Sequence, residues 1–453
     1  MIAPQQLVEQ VLARATVDET IVIVTDASEA SLRWAGNSMT TNGVSTSRSW
    51  TVISIVRSGQ DARVGIVTSA SVDVADIDGV VRSAEISARA ATPASDSMPL
   101  LTGTGTDERW EDSAQRTEIG AFEQLAQDLS MGFDGDDQLY GFAHHQLHTT
   151  WLGTSTGIRR RFVQPTGSVE INGKRGDASA WVGTSTKDFT DVAGVKLLED
   201  LSTRLDWAGN RVELPAGRYE TILPPSAVAD LMIYLMWTME GRAAEEGHSA
   251  LSAPGGTRIG EKLSALPLTL YSDPAALGLE YAPFVISGSS SESVSVFDNG
   301  MDAGRVDWIR DGTVGALAYP RAAAKEFGAE ATVPGDNLIL DAGGSVSLDQ
   351  MVAETERGLL LTTLWYIREV DPATLLLTGL TRDGVYLVEN GKVTGAVNNF
   401  RFNESPLDLL RRVTQAGATE RTLPREWKDW FTRTAMPSLR VPDFHMSSVS
   451  KAL

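Results

Sequence analysis

Glu240, Glu245, Glu246 and His248 crowd around Gly241 and Gly247, directly after the most apolar run of this 453-residue chain. Carboxylates and an imidazole this close could support general acid and base chemistry. At a helix end such residues are more commonly solvated, and Glu240 and His248 are also placed to line a groove. His144, His145 and His148 form the one histidine cluster. On a helix, where residues four apart are neighbours, they would suit a metal. Their flanks read as strand, which puts His144 and His148 roughly 13 Å apart on one face and His145 on the other. Bonds of about 2 Å cannot reach one zinc across that gap.

Gly153-Thr154-Ser155-Thr156-Gly157 matches a serine nucleophile elbow, which needs a strand before it and a helix after it. Residues 158–163 continue as strand, so a hairpin turn is favoured. Arg159, Arg160 and Arg161 read as a solvated strand edge rather than an anion site. His445 has no evident companions, and no phosphate loop, paired zinc knuckle or dinucleotide fingerprint occurs.

The elements that must position these residues follow from periodicity. Residues 1–16 space Ile2, Leu7, Val8, Val11 and Leu12 as an amphipathic helix. Strand-like stretches follow at 20–25, 30–35, 49–57 and 62–69, then helical spacing over 73–90 and a surface loop over 91–107. A short helix at 121–131 precedes strands at 138–151, 159–171 and 178–183, and a helix at 192–205. Residues 207–217, polar and rich in Gly and Pro, make the boundary between two domains, 1–215 and 216–453. The second opens with a strand at 219–223. Pro224 and Pro225 then lead into a helix over 227–240. Its run LMIYLMW at 231–237 is apolar on every side, so burial all round is expected. Short strands and turns dominate from residue 266, with helices at 321–327, 348–357 and 407–413. The expected fold class is α+β: an N-terminal mixed sheet with helices and a C-terminal β-rich domain holding a buried helix.

Composition narrows the partners. Lys and Arg total 39 against 59 Asp and Glu, a formal charge of −20, which repels phosphate backbones and anionic lipid and excludes nucleic acid as the expected partner. No apolar run approaches the roughly 20 residues of a membrane span, and no secretory signal is visible. The chain has no cysteine, which removes disulfides, thiolate ligands and cysteine nucleophiles and fits a reducing, cytoplasmic setting.

The second half resembles the C-terminal domain of the TldD/PmbA family, in particular its PmbA (TldE) branch. The match runs in order through LMIYLMWTMEGRAAEEGHSAL at 231–251, Ile259-Gly260-Glu261-Lys262, Thr269-Leu270-Tyr271-Ser272-Asp273-Pro274 and Phe297-Asp298-Asn299-Gly300. It continues through residues 356–362, 378–384, 388–392 and 398–405. A weaker likeness to the family's N-terminal domain covers residues 31–37, 64–67 and the helix after Asp73. In the active branch the corresponding helix carries His-Glu-x-x-x-His, with zinc-binding histidines, a glutamate base and a late cysteine ligand. Aligned through Gly241 and Gly247-His248-Ser249, those positions here hold Met232, Ile233 and Trp237, while Glu240 falls where the active branch also has a glutamate. One carboxylate does not replace two imidazoles and a thiolate.

The resemblance therefore implies a chain with no catalytic or metal residues and no cofactor of its own. Zinc would sit in a TldD-like sibling subunit, and the heterodimer would enclose a cavity for proteolysis of peptides or unfolded proteins. Two rival readings are a peptide-binding regulatory homodimer that meets no peptidase, and an autonomous hydrolase built on Ser155, His248 or the His144 cluster.

Overall fold

The computed structural model describes residues 2–103 and 105–450. Met1 of the expected first helix, residue 104 of the expected loop and residues 451–453 of the second expected domain lie outside them. The fold class is α+β, as the periodicity implies.

In the first half, α1 (Pro4–Arg14) precedes three antiparallel strands, β1 (Glu19–Ala35), β2 (Met39–Ser58) and β3 (Asp61–Ser69). Then come α2 (Ile77–Ala90), α3 (Glu123–Phe133), β4 (Gln138–Thr154), β5 (Arg159–Arg175), β6 (Ala178–Thr186) and α4 (Gly194–Ala208). The strands form one sheet in the order β3-β2-β1-β4-β5-β6. Strand alternation divides its faces. Val22, Val24, Ala30, Leu32 and Trp34 of β1 pack under the four helices, with Leu7 and Val8 of α1, Val81 of α2, Leu129 of α3 and Leu201 of α4. Ile21 and Ile23 face the other way, into a cluster with Ile53, Ile55 and Leu152 that also takes in Phe284, Val296 and Phe297 of the second half. The two halves thus share core.

Two strands run further than their composition indicates. β1 continues through Asp26 and Glu29, and β2 includes the Ser- and Thr-rich residues 39–48, because cross-strand pairing continues there, with one register shift between Leu32 and Trp34: Asp26 lies opposite Arg48 and their side chains form an ion pair. The turn between them carries positive φ at Gly36 and Asn37, the geometry a two-residue hairpin requires.

The second half is built on one long sheet. Among the described residues its path runs from Thr313–Val314 through Val306–Arg310, Thr269–Ser272, Leu338–Asp341 and Thr434–Val449 to β8 (Gly217–Leu223). It continues through Arg357–Leu361, Val385–Glu389 and Lys392–Val397 to β7 (Arg211–Val212). Against it lies α5 (Pro225–Trp237), whose Leu231, Met232, Ile233 and Leu235 are fully buried in the largest apolar cluster. Burial is not complete all round, as the apolar run alone implies: Trp237, at the helix end, is 40% exposed. No helix among the described residues is long and apolar enough to cross a membrane.

Candidate functional site

Where the two halves meet they leave a cleft of about 730 Å³, within the range of about 300–1,000 Å³ usual for ligand sites. Cross-strand neighbours make its N-terminal wall. His148 lies opposite Gln164 and Thr150 opposite Phe162 on β4 and β5, on the same sheet face as Leu152 and Ile23. The opposing wall comes from the end of α5, with Met236 and Trp237, then Met239 and Glu240. Loop residues 281, 282, 284–286 and 333–336 add to it, with Phe431.

Long-range pairing sets Glu240. α5 stops at Trp237, and the Thr238 hydroxyl donates back to the Leu235 carbonyl at 2.8 Å. The chain then runs extended against another segment: the Ala318 N–H donates to the Met239 carbonyl at 2.8 Å, and the Gly241 N–H to the Ala318 carbonyl at 2.9 Å. Helix α6 (Gly241–Glu245) starts there. Gly241 is needed at the junction, since a Cβ would stand 2.2 Å from the Tyr319 ring. Burial, reinforced by the nearby Glu292 charge, raises the Glu240 carboxyl above its ordinary pKa. No hydrogen-bond or ion-pair partner of its side chain occurs among the described residues.

The three positions that the resemblance aligns with the zinc motif divide. Met232 and Ile233 are fully buried in the core beneath the cleft and do not line it. Trp237 does line it, packed edge-on against Trp427 with ring centroids 5.0 Å apart. A thioether, an alkyl chain and an indole do not fit a zinc ion, which takes imidazole, thiolate or carboxylate donors. No group of three His, Asp or Glu side chains among the described residues is placed to hold a metal.

His248 separates from Glu240. It follows α6 with its side chain 75% exposed, 3.8 Å from Glu246, and lies outside the cleft. The histidine cluster obeys strand alternation. His144 and His148 each come within 3.8 Å of Glu29, on opposite oxygens of that carboxylate. His145 points to the helix side, hydrogen-bonded to the Thr117 hydroxyl at 2.6 Å and the Lys187 carbonyl at 3.1 Å. Burial lowers the pKa of His144, with Glu29 opposing. Ser155 sits in the β4–β5 hairpin, where its hydroxyl accepts the Thr20 N–H at 3.0 Å, so it is a turn residue. His445 lies on the strand Thr434–Val449, its backbone N–H bound to Glu404.

One expectation is corrected. At Arg159–Arg161 β5 pairs with β4, and β6 joins it only from Gly167, so the stretch does lie at the edge of the sheet, but it is not solvated as expected. Arg159 and Arg160 pair with Glu9 and Asp302, while Arg161 is buried over the Trp151 ring and donates to the Ser113 carbonyl at 2.7 Å. His148, Phe162 and Gln164 were not singled out by sequence reasoning as cleft residues. Only strand register, which depends on pairing across the chain, puts them opposite Trp237 and Glu240.

A family model described as the PmbA/TldA metallopeptidase C-terminal domain matches residues 216–448. In structure the chain is similar to TldE from Thermococcus kodakarensis, with 16% identity, a TM-score of 0.77, and 97% of this chain and 99% of that one covered. It is also similar to a proposed modulator of DNA gyrase from Bacteroides thetaiotaomicron, at 16% identity and a TM-score of 0.75 over 98% of each chain. A protein described in the same words from Thermotoga maritima matches at 14% identity and a TM-score of 0.76, over 97% of this chain and 99% of that one. At such identities the likeness speaks for the fold. No curated protein matches the sequence.

Proposed function

The chain belongs to the TldD/PmbA family of metallopeptidase-related proteins, and from that premise we propose that it is a noncatalytic subunit working beside a zinc-carrying TldD-like sibling. What supports this reading is that the resemblance aligns Met232, Ile233 and Trp237, all apolar, with the zinc ligands and base of the active branch. A zinc hydrolase needs a metal with an open position to polarise a carbonyl and acidify a water. Met232 and Ile233 instead supply packing under the cleft. The sibling holds the zinc and performs the cleavage in a reducing cytoplasm. This chain contributes its cleft, whose aromatic and polar walls receive an extended peptide or unfolded segment and direct it toward the metal.

The test is cleavage of a labelled unfolded peptide by this chain, by its zinc-motif sibling and by the mixture. Cleavage in the mixture alone, abolished by a chelator, is the expected result. Cleavage by this chain alone, or full activity of the sibling alone, would overturn it.

A further inference from the structure

Glu240 is a half-buried carboxylate facing an aromatic cleft with no protein partner of its own among the described residues. The cation closest to it in sequence, Arg242, is held by Glu246, Glu292 and Glu326. The other carboxylate lining the cleft, Asp336, is paired with Arg433. His148 is the one basic side chain on the walls, and it lies beside Glu29. The same cleft is lined by the rings of Trp237, Phe284 and Phe431.

A partly desolvated carboxylate without a counter-ion is costly unless a ligand supplies the charge. Aromatic faces attract cations and pack against alkyl stems. A lysine or arginine side chain satisfies both demands, its stem along the rings and its head on the carboxylate. An acidic side chain would meet like charge, and an aliphatic one would leave Glu240 unpaired.

We propose that the Glu240–Trp237 corner of the cleft is a subsite for a basic side chain of a peptide, so that this chain selects lysine- or arginine-bearing segments. The inference rests on the reading of the cleft as a peptide path and adds the class of residue it takes.

The test uses the purified full chain and fluorescein-labelled, unstructured peptides of Gly, Ser and Ala. Each carries one central residue: Lys, Arg, norleucine or Glu. Fluorescence polarisation should show Lys and Arg peptides binding about tenfold tighter than norleucine, the scale of one charge-assisted hydrogen bond, with Glu weakest. In Glu240→Gln the Lys-to-norleucine ratio should fall to about one, and Glu240→Asp should retain part of it. A ratio within one preparation does not depend on the folded fraction, so a destabilised variant still gives a reading. Equal binding of Lys and norleucine peptides, or a preference that survives Glu240→Gln, overturns the subsite and leaves the peptide path standing. No binding by any peptide overturns both.

Discussion

Met232 and Trp237 sit on the same helix and answer to different forces. Met232 is wholly enclosed, so Met232→Ala removes packing and leaves a cavity, at an expected cost of about 2–5 kcal/mol. Trp237→Ala should cost less in the same urea titration, because the ring is 40% exposed already, while reshaping the cleft wall. Equal losses would mean that Trp237 is a core residue. Asp230, two residues before Met232, is fully buried: Oδ1 accepts the Glu426 N–H at 3.0 Å and Oδ2 has no partner among the described residues. Burial pushes its carboxyl well above the usual range, and the Glu426 charge adds to the effect. A folded pKa above the unfolded value of about 3.9 means that the folded state binds more protons in that window. The associated stability is therefore present below the unfolded value and lost as pH rises through the raised one. Relative to Asp230→Asn, the protein should become steadily less stable from about pH 4 upward. Unfolding midpoints measured across that range check it, and a difference independent of pH would rule out burial of the charge as its source.

At the scale of elements, the junction of α5 and α6 decides where Glu240 points. Periodicity over 227–240 indicates one helix, but the helix ends at Trp237, because residues 239–241 pair with Ala318, a partner invisible to any local reading. Gly241→Ala would drive a methyl into the Tyr319 ring, whose hydroxyl donates to Glu245 at 3.0 Å. The expected loss is about 1–3 kcal/mol, as for other overpacked sites, with weaker peptide binding as Glu240 shifts. A variant with unchanged melting and binding would show that Tyr319 moves aside freely. The helix at Arg321–Phe327 and the hairpin at Ser155 were legible for the converse reason, since their signals are local.

Across the whole molecule, the cluster joining Ile21, Ile53 and Leu152 to Phe284 and Phe297 makes each half part of the other's core. Polar links reinforce it: Lys428 to Glu170 at 2.8 Å, Ser185 to the Thr422 carbonyl at 3.0 Å and Gln164 to the Glu280 carbonyl at 3.0 Å. Single polar links of this kind contribute about 0.5–1.5 kcal/mol net, so the apolar cluster should dominate the coupling. Calorimetry should therefore show one transition, and Phe297→Ala, at a fully buried site, should lower it as a unit by about 3–5 kcal/mol. Two separate transitions, with only the later one moved, would mean that the halves unfold independently.

The sequence by itself determined the α+β class, the apolar helix at 231–237 and the absence of cysteine, because each depends on residue type or on spacing within a few turns. It also placed His144 and His148 on one strand face, since alternation needs no partner. Tertiary structure alone decided that His148 and Glu240 share a cleft, that His248 stands outside it, that Arg161 is buried, and that Met232 and Trp237 differ in exposure. Those outcomes depend on strand register and on packing between segments far apart in the chain, where the deciding contacts lie between residues that no local pattern connects.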